Sequence, residues 1–315
     1  MNKDSRGRDA PSPLAMPRAG WRDIVIRTIR RTNRDRIDIL AASAAFWSLL
    51  ALFPTIAALI ALSAFVLEPT AMRDQISELS APLPDEAASL VNDRAAEVAS
   101  QEAAAGTGAA IAIIFAVWTA SAATKTLMEG LNVAYDERER RNFLSFNLVA
   151  ALLTFGLFIG FIVAITTIVV VPATLALQPG LGWIGAMVDW LRWPVMGAFA
   201  LAGLSALYRF GPSRKNARWR WVSLGAVVAT VIWIVASLAF SLYVRNFAAY
   251  NQFYGTLGGV AILMIWFWLT AYIVLLGAEL NSEIEHQTRR DSTVGPFRPM
   301  GERGAVKADT LGRSP

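Results

Sequence analysis

The sequence predicts an all-α fold, a polytopic membrane bundle of six transmembrane helices. Two observations carry this expectation. Apolar stretches run over about 39–67, 108–127, 143–172, 190–208, 220–244 and 257–278, and each reaches the roughly 20 residues an α-helix needs to cross ~30 Å of hydrocarbon. The Lys and Arg residues, in turn, fall on alternate connections: ten in 1–36, four in 125–142, five in 209–220 and six after 279, against four elsewhere. Positive charge concentrates on cytoplasmic connections, so both termini are expected in the cytoplasm. Segment 67–107 fits a translocated loop, with eight acidic residues and only Arg73 and Arg94 as cations. An odd number of spans would break the alternation.

Composition narrows the function classes. The chain is 55% hydrophobic and 17% charged, with a mean hydropathy of +0.44, which assigns 21–286 to one helical membrane domain. Its pI of about 9.8 does not point to nucleic acid, because the excess charge lies at membrane edges, where anionic headgroups of the inner leaflet attract it. Membrane lipids are the expected partners and nucleic acid is not. There is no Cys, so disulfides, thiolate metal sites and thiol chemistry are excluded. The amino end does not read as a cleavable signal, since its charged region continues through Arg36 and the apolar run behind it is too long for an h-region. Residues 1–20, rich in Arg, Pro and Ser, and 287–315, with recurrent Gly, Pro and charge, lack apolar periodicity and read as a disordered cytoplasmic arm and tail.

The elements follow in order. Trp21, Ile24, Val25 and Ile29 share one arc of a helix and Arg27, Arg30, Arg31 and Arg34 the opposite arc, an interfacial amphipathic helix that either lies on the inner leaflet or docks on the bundle. The first span holds the small residues Ala41, Ala42, Ser43, Ala44 and Ala45, which permit close helix approach, and then Pro54, which predicts a kink. In 67–107, Met72, Ile76 and Leu79 are helically spaced, Pro82-Leu83-Pro84 turns the chain and Asp85 caps a second helix, giving an extracytoplasmic helical hairpin. The second span carries Trp118, Ser121, Lys125, Glu129 and Asn132 at intervals of three or four, with Lys125 and Glu129 spaced to pair. Gly156 and Gly160 give the third span a G-x-x-x-G spacing. Asp189 and Arg192 form an interfacial pair candidate at the start of the fourth. Arg214 to Arg220 is a basic loop without acid that suits phosphate headgroups. The connection 245–255 is rich in aromatic and amide groups, including Tyr250, Asn251 and Tyr254. The last span ends with Glu279 within about a turn of the hydrocarbon edge, where Lys125 or Arg209 offers a counter-charge if the carboxylate faces the bundle.

The run Ala45-Phe46-Trp47-Ser48-Leu49-Leu50-Ala51-Leu52-Phe53-Pro54 resembles the signature opening of the YihY/BrkB family of bacterial inner-membrane proteins. Trp118-Thr119-Ala120-Ser121 leading to Gly130-Leu131-Asn132-Val133-Ala134-Tyr135 resembles its second-helix motif. Tyr250 through Asn281, with Tyr254-Gly255 and Gly277-Ala278-Glu279-Leu280-Asn281, resembles its carboxy-terminal block. The resemblance covers about 25–285 and implies a six-helix protein of the bacterial inner membrane with cytoplasmic termini. It implies little chemistry: members have carried the label ribonuclease BN, others are called virulence factors or transporters, and some are linked to lipopolysaccharide export.

A hydrolytic nuclease needs an acid–base pair or clustered metal ligands at a wet surface. The nearest approach is Glu283-Ile284-Glu285-His286, a segment that reads as a solvated helix end. No Walker-type sequence appears, and the few ionisable groups in the spans disfavour a long proton relay. No enzyme activity, cofactor or metal is expected. The reading that follows is a transporter-like protein moving or gating a lipid or amphiphilic anion in envelope biogenesis. Its path lies between the first, second and sixth spans, lined or gated by Trp47, Pro54, Trp118, Ser121, Lys125, Tyr250, Asn251, Tyr254 and Glu279. The alternative is a non-transporting membrane scaffold for envelope proteins, acting as a homo-oligomer or with an envelope partner.

Overall fold

Backbone amides that leave water must bond within their own segment, and the apolar stretches do so as long helices. A computed structural model describes residues 6–63, 89, 93, 107–165, 182–246 and 256–313. Among these, a 3-10 turn at Pro13–Ala15 is followed by α1 (Arg18–Arg34), α2 (Ile37–Ser63), α3 (Thr107–Ala134), α4 (Phe143–Ile165), α5 (Gly182–Phe210), α6 (Trp219–Asn246), α7 (Thr256–Glu285) and α8 (Val306–Asp309). The described residues contain no strand, only an isolated bridge between Ala217 and Thr293.

Among the described residues, four helices are long and apolar enough to cross a membrane: α2 over Ile37–Ile56, α4 over Phe143–Gly160, α6 over Trp219–Val244 and α7 over Gly258–Glu285. The fold is therefore the expected all-α membrane bundle. Helix α5 contributes a shorter apolar run, Pro194–Phe210, and α3 carries Ser121, Thr124, Lys125, Thr126 and Glu129 in its second half. The six stretches of the sequence become six long helices, of which four among the described residues have the length and apolarity of a crossing. Helix α2 runs unbroken through Pro54.

The packed core lies toward one end. Ile37, Leu131, Tyr135, Tyr208, Val222, Ala226, Leu275 and Ala278 are fully buried together, joining the start of α2, the ends of α3, α5 and α7 and the start of α6. Away from it, α4 and α6 expose Phe155, Leu152, Val235 and Leu238, the surface that lipid tails cover. The small residues of α2 work as expected: Ala41 and Ala44 are buried against Ala271 of α7. The G-x-x-x-G of α4 does not, since a Cβ on Gly156 or Gly160 would meet nothing within 4 Å. Close backbone approach is instead made by Gly225 of α6 and Gly277 of α7. There the buried Asn281 side chain accepts from the Gly225 amide at 2.8 Å and donates to the Val222 carbonyl at 2.9 Å.

Helix α1 docks on the bundle with Ile24 buried and Trp21 beside it against Trp221 and Ile284. Val25 and Ile29 stay exposed. Arg27 and Arg31, set by the sequence on the arc opposite the apolar one, point into the protein, where both meet the buried Glu283 carboxylate.

The tails depart from the disorder that composition suggests. Ala10 and Met16 are buried, and residues 286–313 fold against the helix ends. Arg303 is 2% exposed and donates to the carbonyls of Arg289, Arg290, Arg298 and Ala308. Asp309 accepts from the amides of Gly301, Arg303 and Gly304. Side chains thus satisfy the tail's backbone groups, where a search for apolar periodicity finds nothing. Apart from residues 89, 93 and 107, the hairpin expected over 67–107 lies outside the described residues, as do the connection 247–255 and the side chains of Asp189 and Arg192.

Candidate functional site: a buried charge cluster at one end of the bundle

Helix α7 ends with three carboxylates, Glu279, Glu283 and Glu285, all fully buried. An unpaired carboxylate in such a place costs several kcal/mol, so each demands an account. Glu285 is held by Arg214 of the α5–α6 connection through two parallel bonds of 2.8 Å, and both side chains are 0% exposed. The Arg214 guanidinium lies 4.0 Å from the Tyr135 ring centroid, and Ser292 donates to the same carboxylate at 2.9 Å.

Glu283 is the hub. Arg27 Nε donates to Oε2 at 2.5 Å and Lys307 Nζ to Oε1 at 2.8 Å. Arg31 Nε stands 3.6 Å from the same oxygen and His286 Nδ1 3.5 Å from it. Arg31 also bonds Asp136, which Lys307 approaches to 3.3 Å. One carboxylate thus joins α1, α7, the α3–α4 connection and α8. The solvated helix end expected at 283–286 is instead the centre of an ion network, and the spans' charged end is not poor in buried ionisable groups.

Glu279 differs from both. It is fully buried one turn before Glu283, and neither carboxylate oxygen has a hydrogen-bond partner. Neither expected counter-charge reaches it. The Arg209 guanidinium stacks 4.3 Å over the Trp219 ring, and among the described residues Lys125 pairs with neither Glu279 nor Glu129. The charges that act on Glu279 are Lys307, Asp35, Arg31 and Glu283.

Outside the spans, titration follows from the contacts. Burial pushes the Asp136 carboxyl up, but Arg31 and Lys307 overcome it and hold the group below its ordinary range. Burial likewise works against ionisation of Glu139, yet hydrogen bonds from Arg141 and from Asn132 at 3.0 Å bring it from 4.5 to about 2. The His286 imidazole is held below its ordinary value by burial, against the pull of Glu283. A folded value below the unfolded one means stability that is present above the unfolded pKa and lost as pH falls toward the folded one. The α3–α4 connection is therefore expected to lose stability between about pH 4.5 and pH 2. Glu139→Gln should give a shallower acid limb in melting temperature against pH, and an unchanged limb would remove Glu139 from the account.

Of the residues the sequence proposed, the structure brings Trp47 and Trp118 together edge to face, with centroids 6.2 Å apart. Trp118 is 53% exposed and stacks on Phe115. Ser121 is buried, Pro54 and Lys125 are half-buried, and Glu279 lies on α7 in the charge cluster. Tyr250, Asn251 and Tyr254 fall outside the described residues. Sequence reasoning missed Arg27, Arg31, Asp136, Arg214, Lys307 and the buried roles of Glu283 and Glu285. One signal was available: Arg27 and Arg31 share the i, i+4 spacing of Glu279 and Glu283.

The family described as Virulence factor BrkB matches residues 28–299, which takes in α2 to α7 and the whole hub except Arg27 and Lys307. The chain belongs to the BrkB family. Among its relatives is a ribonuclease-like protein, YfkH, of Bacillus subtilis, 32% identical over 263 residues, covering 82% of this chain and 93% of that protein. A UPF0761 membrane protein of Photobacterium profundum is 30% identical over 263 residues, 81% of this chain and 78% of its own. A UPF0761 membrane protein of Vibrio parahaemolyticus is 27% identical over 269 residues, 82% and 81% of the two chains. No solved structure matches the chain. BrkB membership makes the chain a multi-pass membrane protein.

Proposed function

We propose that this BrkB-family protein is a transporter-like protein of the bacterial inner membrane, with cytoplasmic termini, that moves or gates a lipid or other amphiphilic anion. The observation that carries the reading is Glu279, a buried carboxylate at the end of an apolar helix with both oxygens unpartnered. Ionisable groups retained within membrane helices mark ion or substrate paths, and a group without partners is free to respond to a proton, a cation or a shift of Lys307 and Arg31. The ion network around Glu283 closes the charged end, and the path runs between α2, α3 and α7, where Trp47 meets Trp118.

The ribonuclease-like name of the Bacillus relative does not carry over in this reading. Among the described residues no three His, Asp or Glu side chains are grouped to hold a metal, and the nearest set, around Glu283, is occupied by Arg and Lys. The chain is read as no enzyme.

The test is flux in sealed proteoliposomes with labelled phospholipid and lipid A-type substrates. Wild type should translocate at least one of them, and Glu279→Gln should slow it by about tenfold or more, as ~1.4 kcal/mol on the barrier would. Equal rates in the two would remove Glu279 from the path. No protein-dependent flux from folded protein would overturn transport and favour the scaffold.

A further inference from the structure

We propose that a basic cleft beside the ion network binds the phosphate headgroup of an anionic phospholipid, whether or not the protein translocates lipid. The cleft is shallow and open, with room for about 450 Å³, and its lining includes Arg140, Arg141, Arg214 and Lys215 with Val149 and Phe210, and no carboxylate side chain. It lies at the charged end of the bundle, the level at which headgroups meet membrane helices.

The four cations are not equivalent. Arg214 is spent on Glu285. Arg141 pairs with Glu139 at 2.7 Å and donates to the carbonyls of Phe210 and Gly211. Arg140 and Lys215 are anchored only by their backbones: the Arg140 amide donates to Ser213 Oγ at 3.0 Å and the Lys215 amide to the Gly304 carbonyl at 2.9 Å. Among the described residues, neither side chain makes an ion pair. Two fixed-base, uncommitted cations facing one cleft form a seat for a phosphate, which accepts charge-assisted bonds from both.

The surroundings select a lipid over free phosphate. Phe210 forms part of the cleft wall and packs edge to face on Trp219, with centroids 6.1 Å apart. Val149 shares that wall, and Phe210 is 41% exposed. These apolar side chains give an acyl chain a surface beside the headgroup seat, and inorganic phosphate would leave that surface unused.

The test uses the purified full-length chain in detergent, titrated with short-chain phosphatidylglycerol, phosphatidylcholine of the same chain length, or inorganic phosphate, with bound species counted by native mass spectrometry. Phosphatidylglycerol should bind about tenfold or more tightly than phosphatidylcholine. Arg140→Gln/Lys215→Gln should bring that ratio near one. Arg140→Lys/Lys215→Arg, which keeps both charges, should preserve it. So should Arg22→Gln/Arg30→Gln, which removes equal charge from the exposed side of α1. Unchanged melting temperature in each variant guards against misfolding. Equal binding of the two lipids, an unchanged ratio in the cleft variant, or an equal loss in the α1 variant would overturn the proposal. Inorganic phosphate binding as tightly as phosphatidylglycerol would assign the cleft to free phosphate instead.

Discussion

Replacing Glu285 with alanine is expected to lower the melting temperature of the detergent-solubilised chain by about 10 °C. The substitution leaves the Arg214 side chain at 0% exposure without the carboxylate that takes both of its bonds, and a guanidinium cannot escape by losing its proton. Breaking a buried pair from one side costs about 3–5 kcal/mol, and each kcal/mol moves the midpoint of a domain of 150–250 residues by about 2–4 °C. The Ser292 hydroxyl loses its acceptor as well. The companion variant Arg214→Met/Glu285→Leu removes both charges and refills the space, and should recover most of the loss, since two matched apolar groups need neither solvent nor partner. A Glu285→Ala change of less than about 2 °C would show that water reaches the pair, and a double variant as unstable as the sum of the singles would deny the coupling.

How legible this molecule was depends on where each residue's partner sits. The long helices are legible because their signal is local: an apolar run reports its own burial, and the alternation of Lys and Arg reports which connections share an end. The core at the charged end was half legible, through the small residues at Ala41 and Ala44 that meet Ala271. Glu283 was misread because its partners come from α1 and α8, so local sequence shows only a polar end to a helix. Residues 286–313 look disordered for a related reason. Arg303 and Asp309 order that segment by bonding backbone groups along a turn-rich path, and no periodicity announces such a scheme. Of the residues proposed for the path, Trp47 and Trp118 meet as their spacing allowed, whereas the burial of Glu279 without a hydrogen-bond partner depends on how distant segments converge.

The network also suggests why so much charge is buried at one end. Pairs that roughly break even in stability are strongly penalised when misassembled, so Arg27, Arg31, Arg214 and Lys307 fix one arrangement of α1, α7 and α8 relative to the connections. Among the buried carboxylates at the end of α7, Glu279 is the one with neither oxygen in a hydrogen bond, which is why the proposed reading centres on it.

The helix crossing between α6 and α7 gives the sharpest contrast between two glycine sites. Gly225→Ala adds one methyl group and, by helix propensity alone, should stabilise by about 1 kcal/mol. In place, that methyl would collide with the Gly277 carbonyl oxygen and the Asn281 amide. A backbone carbonyl cannot rotate away, so α6 and α7 must separate, and the two bonds of Asn281 to Gly225 and Val222 go with them. Overpacking and the stranded amide together should cost about 3 kcal/mol or more, read as a lower melting temperature and a smaller folded yield. Gly156→Ala and Gly160→Ala, in the G-x-x-x-G of α4, place their methyl groups in open space and should be neutral or gain up to about 1 kcal/mol. Damage at Gly156 equal to that at Gly225 would mean that this face of α4 packs against another chain in the membrane, so the pair of measurements separates the crossing that builds the bundle from a spacing that merely resembles one.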